Sequence, residues 1–570
     1  MRRAVVTSLA LVCCVCSSER PSYETAPPGF GANDAGSECS LRRCSRDLHA
    51  VLSGCGDEDI IETCDPDKAC ANGACQPACS AAVAAAGSIG CDFWTVSPSA
   101  YDMKDCFVAF VANAWSVPTT LRASFGATEV DLSASARILT ADPSAPYAPY
   151  PGVLEPGQVA GIFLATYQTV PSASPSKCPD GIQPTVKDET LSQYTGIRRA
   201  FHIQSSSPVS AYSIYPFGGA LSYIPSATLL LPVGAWDGRY IVVNPWKGQG
   251  AFGTTTQIIA SEADTEVTVI PSVDFEASNG APAGRRGEPV SMTLGPGDVW
   301  QIRNPLELTG TTVQASKPVA LLGGHECMSL PDGICCCDSA NQQLFPVNTW
   351  GTRYAAVPYG PRANAEYADE KYFWRIVAAS EGTKLSYRPY RPPEARSSLG
   401  ANEMQTFWAK EPFIVESQDS EHPIAVFAYM SAGRKLSMDT GMGDPDFVNV
   451  VPVDQYLSRY VFYVDHTYAL SRLVVVRRRE NGVFSDVTID CGSKKIEGFK
   501  GLDEEGEYEY AYVPIQDKPR EGECGPGRHE ASSAGPFAVT VWGMANWASY
   551  AYPAGAGLRP INEVKPAGPH

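Results

Sequence analysis

Short runs of alternating apolar and polar residues, punctuated by Gly, Pro, Asn and Asp, dominate this chain. Alternation of period two places every second side chain on one face of a sheet, and turn residues at each end mark where a strand stops. Between residues 239 and 323 the runs are Tyr240 to Asn244, Thr255 to Ala260, Val267 to Ile270, Val290 to Leu294, Val299 to Ile302, Thr311 to Gln314 and Val319 to Leu322. Seven short strands in fewer than a hundred residues are enough for a β-sandwich with its own core, and two four-stranded propeller blades would count nearly the same.

The pattern repeats. Pro followed by an apolar residue opens a strand-like run at Pro208-Val209, Pro318-Val319, Pro423-Ile424 and Pro536-Phe537, at intervals of 110, 105 and 113 residues. Arg-Tyr before an apolar strand recurs at Arg239-Tyr240, Arg353-Tyr354 and Arg459-Tyr460. A Thr beside an alternating strand recurs at Thr265 and Thr383, with Thr128 expected in the equivalent place of the first unit. Three markers in one order predict a tandem array of four all-β, sandwich-like repeats, with a propeller as the alternative. The division expected is 92–225, 226–340, 341–446 and 447–556, followed by a C-terminal tail, 557–570. The first repeat is longer by an insertion, about 143–187, rich in Pro, Ser, Ala and Tyr and read as a surface excursion.

Cysteine usage divides the chain again. Nineteen cysteines occur, sixteen of them after residue 16. They group evenly: Cys39, Cys44, Cys55, Cys64, Cys70, Cys75, Cys79 and Cys91 in a short polar stretch (39–91), Cys106 and Cys178 in the first repeat, Cys327, Cys335, Cys336 and Cys337 at the second boundary, and Cys491 and Cys524 in the fourth repeat. A stretch as short as 39–91 buries too little apolar surface to fold without crosslinks. Zinc would call for paired Cys-x-x-Cys or accompanying His ligands, so all sixteen are expected in disulfides within their groups. That implies an oxidising compartment. The start agrees: Arg2 and Arg3 precede an apolar run, Ala4 to Val15, too short to span a bilayer. Residues 1–13 read as a signal peptide and Cys14 as a lipidated first residue of the mature chain, with cleavage after Cys16 as the alternative. Residues 14–38, rich in Ser, Pro and Gly, read as a flexible tether. The expected location is a bacterial envelope, as an outer-membrane lipoprotein facing outward, or the secreted medium. The formal charge of −18 argues against nucleic acid as a partner.

The phrases Gly90-Cys-Asp-Phe-Trp-Thr-Val, Phe107-Val-Ala-Phe-Val-Ala-Asn, Pro318-Val-Ala-Leu-Leu-Gly-Gly-His-Glu-Cys327, Trp350-Gly-Thr-Arg-Tyr354, Gly443-Asp-Pro, Gln455-Tyr456 and Phe537 through Pro553 together resemble the N-terminal domain of IgGFc-binding proteins over roughly residues 90 to 556. The module before it, with Cys-Ala-Asn-Gly-Ala-Cys75, looks like that of myxobacterial lipoproteins. The resemblance implies an extracellular binding or adhesive module and leaves its ligand open. One departure is that Cys335-Cys-Cys-Asp-Ser-Ala-Asn-Gln-Gln stands where the family usually carries an acidic Cys-Asp-His-Leu-like segment.

Candidate chemistry is thin. His325-Glu326-Cys327 with Cys335 to Cys337 could hold a metal, but disulfides account for it more simply. Asp503-Glu-Glu-Gly-Glu-Tyr-Glu-Tyr510 lacks the ligand spacing of a calcium loop and reads as a solvated turn, and Asp439 to Asp446 reads as a turn as well. His202, His422 and His529 sit at repeat edges where cap or loop roles suffice. No His-Glu-x-x-His, Gly-x-Ser-x-Gly, phosphate loop or dinucleotide fingerprint occurs. Trp236, Trp246, Trp350, Trp374, Trp542 and Trp547 are read as core before sugar-stacking platforms. The function expected is a surface-tethered binding or adhesion protein, without enzymatic activity, cofactor or metal. It would take an extracellular protein or glycan through the loops 143–187 and 327–345. The alternatives are a hydrolase acting on extracellular polysaccharide or protein, and a structural envelope or matrix protein.

Overall fold

One strand in each stretch of about 110 residues is much longer than the others and changes partners midway. In the first stretch it is Phe201–Tyr215, in the second Thr312–Met328 and in the fourth Gly527–Ala545; in the third it is split into Phe413–Ser417 and Ile424–Met430. These assignments come from a computed structural model that describes residues 42–45, 47–53, 59–100, 106–140, 147–166, 177–187, 194–222, 224–333, 337–362, 370–433, 442–491, 494–516 and 523–568. The expected signal peptide, the tether, Cys14, Cys39, Cys55, Cys335 and Cys336 lie outside the described residues. No helix among those residues is long and apolar enough to cross a membrane.

The second stretch shows the scheme. The first half of the long strand, Thr312 to Ala315, lies between Asp237–Ile241 and Thr265–Ile270. The second half, from Val319 on, lies between Thr254–Ala260 and the closing strand Asp338–Gln343, and Thr254–Ala260 is flanked in turn by Asp298–Asn304. The same pairing recurs in the other three stretches, around Phe201–Tyr215, around the two pieces in the third, and around Gly527–Ala545. In the first, second and fourth stretches two half-sheets thus share one strand, and in the third they stand as two separate sheets, an all-β sandwich-like arrangement. The two runs expected at 311–314 and 319–322 are this one long strand.

The partner change falls at Pro208, Pro318, Pro423 and Pro536. Proline has no N–H to give a ladder, so it is tolerated where one set of partners ends and the next begins. The Arg-Tyr marker serves the same joint. The residue opposite the one after each proline is Asp237, Gly351 or Leu457. Three residues further on stand Tyr240, Tyr354 and Tyr460. Each tyrosine hydroxyl donates to the carbonyl of the residue after the proline, Val319 (2.7 Å), Ile424 (2.5 Å) or Phe537 (2.5 Å). Each also accepts the backbone N–H three residues upstream. Two backbone groups left idle by the switch are satisfied by one side chain, as buried polar groups require. The first unit, where Gly90 opposes Val209, carries Phe93 in the tyrosine's place.

The Thr marker divides. Thr265 and Thr383 donate to the carbonyl three residues back, at Glu262 and Ser380, in the turn that starts their strands. Thr128 does not occupy that place: the strand pairing with the long one is Leu121–Phe125, and Thr128–Glu129 is the return arm of its hairpin. The alternation there belongs to a two-residue ribbon.

The four closing strands, Ser226–Leu230, Asp338–Gln343, Asp446–Asn449 and Ala548–Pro553, pack in a cycle, first on second, second on third, third on fourth and fourth on first. Gln342 bridges it, with Nε2 donating to Ala227 O (2.8 Å) and Ala551 O (3.0 Å). One hydrophobic cluster runs through all four units, and a second, built on Phe93, Phe107, Val111, Ile162, Leu164, Phe201 and Val209, belongs to the first alone. Four of the six tryptophans singled out, Trp236, Trp350, Trp374 and Trp542, are buried, and Trp246 and Trp547 are half-buried. The expected tail runs as a strap: Ile561 N donates to Asn348 O, Asn562 Nδ2 to Val347 O and Trp350 O, and Ala567 O accepts from Asn402 and Thr312.

The N-terminal module has three short strands, Arg42–Cys44, Ala50–Ser53 and Ile60–Thr63, a hairpin Lys68–Ala71/Ala74–Pro77 and a helix Ala78–Ala85. Asn72 and Gly73 both take positive φ at the hairpin tip, the pair that a two-residue turn of this hand demands. Its buried apolar content is two small clusters, Val51 with Cys64 and Cys70, and a few alanines around Trp115, whose Nε1 donates to Pro66 O (2.9 Å).

Candidate binding surface

Twelve of the candidate cysteines are bridged: Cys44–Cys70, Cys64–Cys75 and Cys79–Cys91 in the N-terminal module, then Cys106–Cys178, Cys327–Cys337 and Cys491–Cys524. Each bridge lies within one cysteine group. The module therefore rests on crosslinks where it lacks core, as small domains do.

The two stretches expected to be ligand-presenting loops turn out differently. Within 143–187, Val159–Thr166 is a strand pairing with Cys106–Ala112 and Ala136–Leu139, and all but its last residue are buried. The reading of the whole stretch as a surface excursion is corrected: Val159-Ala-Gly-Ile-Phe-Leu-Ala is an apolar run buried on both faces, hidden in composition by its Pro- and Ser-rich flanks. Within 327–345, Asp338–Gln343 is the second closing strand and is fully buried. Its polar side chains and backbone are spent inside: Ser339 Oγ donates to Ile224 O, and Gln343 N donates to Thr228 Oγ1. That strand is removed from the binding surface.

An open cleft lies on the first unit. Leu121, Arg122, Glu129, Asp131, Leu132, Ser133 and Tyr150 to Gly152 line an open cleft of about 640 Å³. Tyr150 fixes its floor, its hydroxyl accepting from Leu121 N at 3.0 Å. Asp131 Oδ1 accepts from Ser133 Oγ (2.6 Å) and N (3.0 Å), which holds its carboxyl below the usual carboxylate range. Arg122, Glu129 and Asp131 are exposed. A cleft with one fixed aromatic floor and charges of both signs at its rim can orient a polar ligand. The Cys106–Cys178 bridge ties the far arm of the 143–187 stretch to Cys106–Ala112, a strand of the same sheet as Leu121–Phe125.

The other candidates have their groups committed. His325 is buried; its Nδ1 accepts from Cys327 N (3.0 Å), so Nε2 carries the proton toward Lys247 O (3.1 Å), and burial pushes its pKa down to about 4. Glu326 takes Arg303 through both oxygens (2.9 and 2.8 Å), Gly253 N (2.8 Å) and Ser99 Oγ (3.2 Å). The acidic turn is an anchor and not a solvated loop: Asp503 Oδ1 accepts from Glu507 N and Tyr508 N, and Arg388 of the preceding unit reaches Asp503, Glu505, Glu507 and Glu416 at 2.8 to 3.0 Å. Its sequence shows the acids and hides the arginine, 115 residues away. Asp490, Cys491 and His529 bring three ligand-type atoms within 4.8 Å of one another, a cluster the sequence analysis did not single out. Cys491 is in a disulfide, and His529 bonds Asp490 Oδ1 (3.0 Å) and Gly525 O (2.6 Å), so no thiolate and no free imidazole nitrogen remain.

Residues 226–543, more than half of the chain, match the family described as IgGFc binding protein. A human relative named IgGFc-binding protein is 33% identical over 165 residues, which is 28% of this chain and only 3% of the relative's own length. No solved structure matches. The ordered phrases and the extent of the match converge: this chain belongs to the IgGFc-binding protein family.

Proposed function

We propose that this protein is an extracellular binding or adhesion protein, held at a bacterial envelope by lipid on Cys14 and a tether over 15–38, that takes a protein or glycan ligand at the cleft of its first unit. The observation carrying this reading is the cleft itself: it is open, lined by exposed Arg122, Glu129 and Asp131, and floored by Tyr150 bonded to Leu121. Membership in a family of binding proteins supports it. A strand-anchored rim loses little ordering entropy on contact, which favours binding over a mobile loop of the same composition. The division into a stapled module and four repeats fits a scaffold that keeps its cores constant while surface loops vary.

The test is binding of the full mature chain to envelope extracts, a glycan array and immunoglobulin Fc, with Arg122→Ala and Glu129→Ala alongside. Loss of capture in both variants with unchanged thermal stability is the expected result. Capture indifferent to both variants removes the cleft from the account, and turnover of a glycan, ester or peptide panel replaces binding by catalysis. Mass spectrometry of the mature N-terminus checks the anchor, and an unmodified peptide starting after Cys16 contradicts it.

A further inference from the structure

We infer that a buried carboxylate cluster where the closing strands meet makes their cyclic closure proton-dependent, tightest at acidic pH and progressively looser as the pH rises.

Asp338 and Asp446 open the second and third closing strands at matching positions, each paired with a methionine of its long strand, Met328 and Met430. Asp444 lies two residues before Asp446. All three are fully buried, at 0% exposure. Ser549 of the fourth closing strand joins them: its N–H donates to Asp338 Oδ2 (3.1 Å), and its hydroxyl donates to the Asp444 carbonyl (2.5 Å). Three of the four units therefore meet through these acids. Asp338 Oδ1, Asp446 Oδ2 and both oxygens of Asp444 make no hydrogen bond. An ionised carboxylate in that state is costly, and three close together oppose one another's ionisation.

The surroundings offer little to offset the charge. Arg362 faces Asp444, but it is already paired with Glu370 (2.8 Å) and bonded to Ser431 O (2.7 Å). The Phe447 N–H donates to Asp446 Oδ1 (2.7 Å), and the Gly433 and Ala551 N–H groups, near Asp444 and Asp446 but outside hydrogen-bond geometry, ease them only in part. From the strand Leu457–Val464 and the turn after it come Asp465, with one unpaired oxygen, and Tyr468, while Tyr550 comes from the fourth closing strand itself. Tyr147 and Tyr463 stand on the far side of Asp465, and His466 beside Tyr147. The long-strand partners Met328 and Met430 bring no charge.

A divalent cation would discharge the same cluster. Calcium holds its oxygen ligands at about 2.3–2.6 Å, so ligands of one ion lie within roughly 5 Å of each other. Among the described residues only Asp490, Cys491 and His529 bring three such groups within 4.8 Å; no three of the axial acids do. The spacing favours protons. Burial, then the charge of Asp444, raises Asp338 well above the usual carboxylate range; burial raises Asp446 likewise and pushes Asp444 up to about 7. Because the closed form holds these protons more tightly than the opened one, their contribution to stability is full below about pH 4 and falls as the pH rises, that of Asp444 through about 7.

The experiment is hydrogen exchange of the closing-strand amides in the full chain from pH 4.5 to 8.5, corrected for intrinsic exchange, with Asp444→Asn and Asp446→Asn alongside. The expected result is an opening constant that rises with pH, by up to tenfold per pH unit for each proton released, and a shallower rise in the amide variants. Infrared absorption of protonated carboxyl groups persisting at pH 7 in the unaltered chain gives a readout that needs no variant. An opening constant flat in pH, a slope the amide variants leave unchanged, or no protonated-carboxyl band at pH 7 overturns the inference. So does stoichiometric calcium binding that abolishes the pH dependence, which makes the cluster a cation site.

Discussion

The first unit and the three that follow are built on one strand plan and differ at its joint. In the second, third and fourth units a tyrosine hydroxyl bridges the backbone where the long strand changes partners, and their apolar residues merge into one continuous core. In the first, Phe93 fills the same place with no hydroxyl, much of the core is separate, a Cys106–Cys178 bridge straps the sheet, and an open cleft lies on the surface. The difference teaches how a repeat is released for function. Where the joint is fixed by buried hydrogen bonds the unit serves the ring; where packing and a crosslink replace them, a surface can be built on the outside.

Breaking the crosslink has the largest expected effect. Cys106→Ser with Cys178→Ser removes a bridge across 72 residues of sequence. It is expected to cost about 4 kcal/mol on the chain-entropy account, read as a lowered denaturation midpoint with the first unit opening before the others. Next comes Glu326→Ala, which leaves Arg303 without its partner and frees Ser99, the contact from the first unit's side. About 3 kcal/mol of destabilisation by chemical denaturation is expected. Tyr354→Phe strands the Gly351 N–H and the Ile424 carbonyl and is expected to cost about 1–3 kcal/mol, with Tyr240→Phe and Tyr460→Phe alike. Phe93→Leu sharpens the contrast: it tests packing alone, with an expected loss of about 1 kcal/mol and no change in exchange of the Gly90 and Val209 amides beyond that. The smallest effect on stability is at the cleft, where Arg122→Ala is expected to stay within about 0.5 kcal/mol of the unaltered chain while weakening capture.

Much of this plan was legible in the sequence because its joints use residues with narrow physics. Proline at the partner switch and tyrosine opposite it recur because few residues lack an N–H or carry a rigid hydroxyl of that reach. Valines at 267 and 269 alternating with Glu266 and Thr268 gave their strand directly. What escaped were features whose partners are distant in sequence. Asp338-Ser-Ala-Asn-Gln-Gln343 reads as a polar loop because nothing nearby satisfies it; its partners are Ala227, Thr228 and Ala551 on other units. Val159–Thr166 is core, yet its flanks outweighed it in composition. Asp503 reads as solvated until Arg388 is brought to it. Cyclic closure leaves no local mark at all, since the fourth unit's contact with the first is a relation between Ala548–Pro553 and Ser226–Leu230.

That closure is the centre of the account, and native-state hydrogen exchange tests it most directly. In a closed cycle no unit is terminal, so the closing strands 226–230, 338–343, 446–449 and 548–553 are expected to share one high opening free energy and to lose protection together with added denaturant. An open string of units frays from its ends. Exchange at 226–230 and 548–553 that runs ahead of 338–343 and 446–449 at neutral pH would contradict the ring.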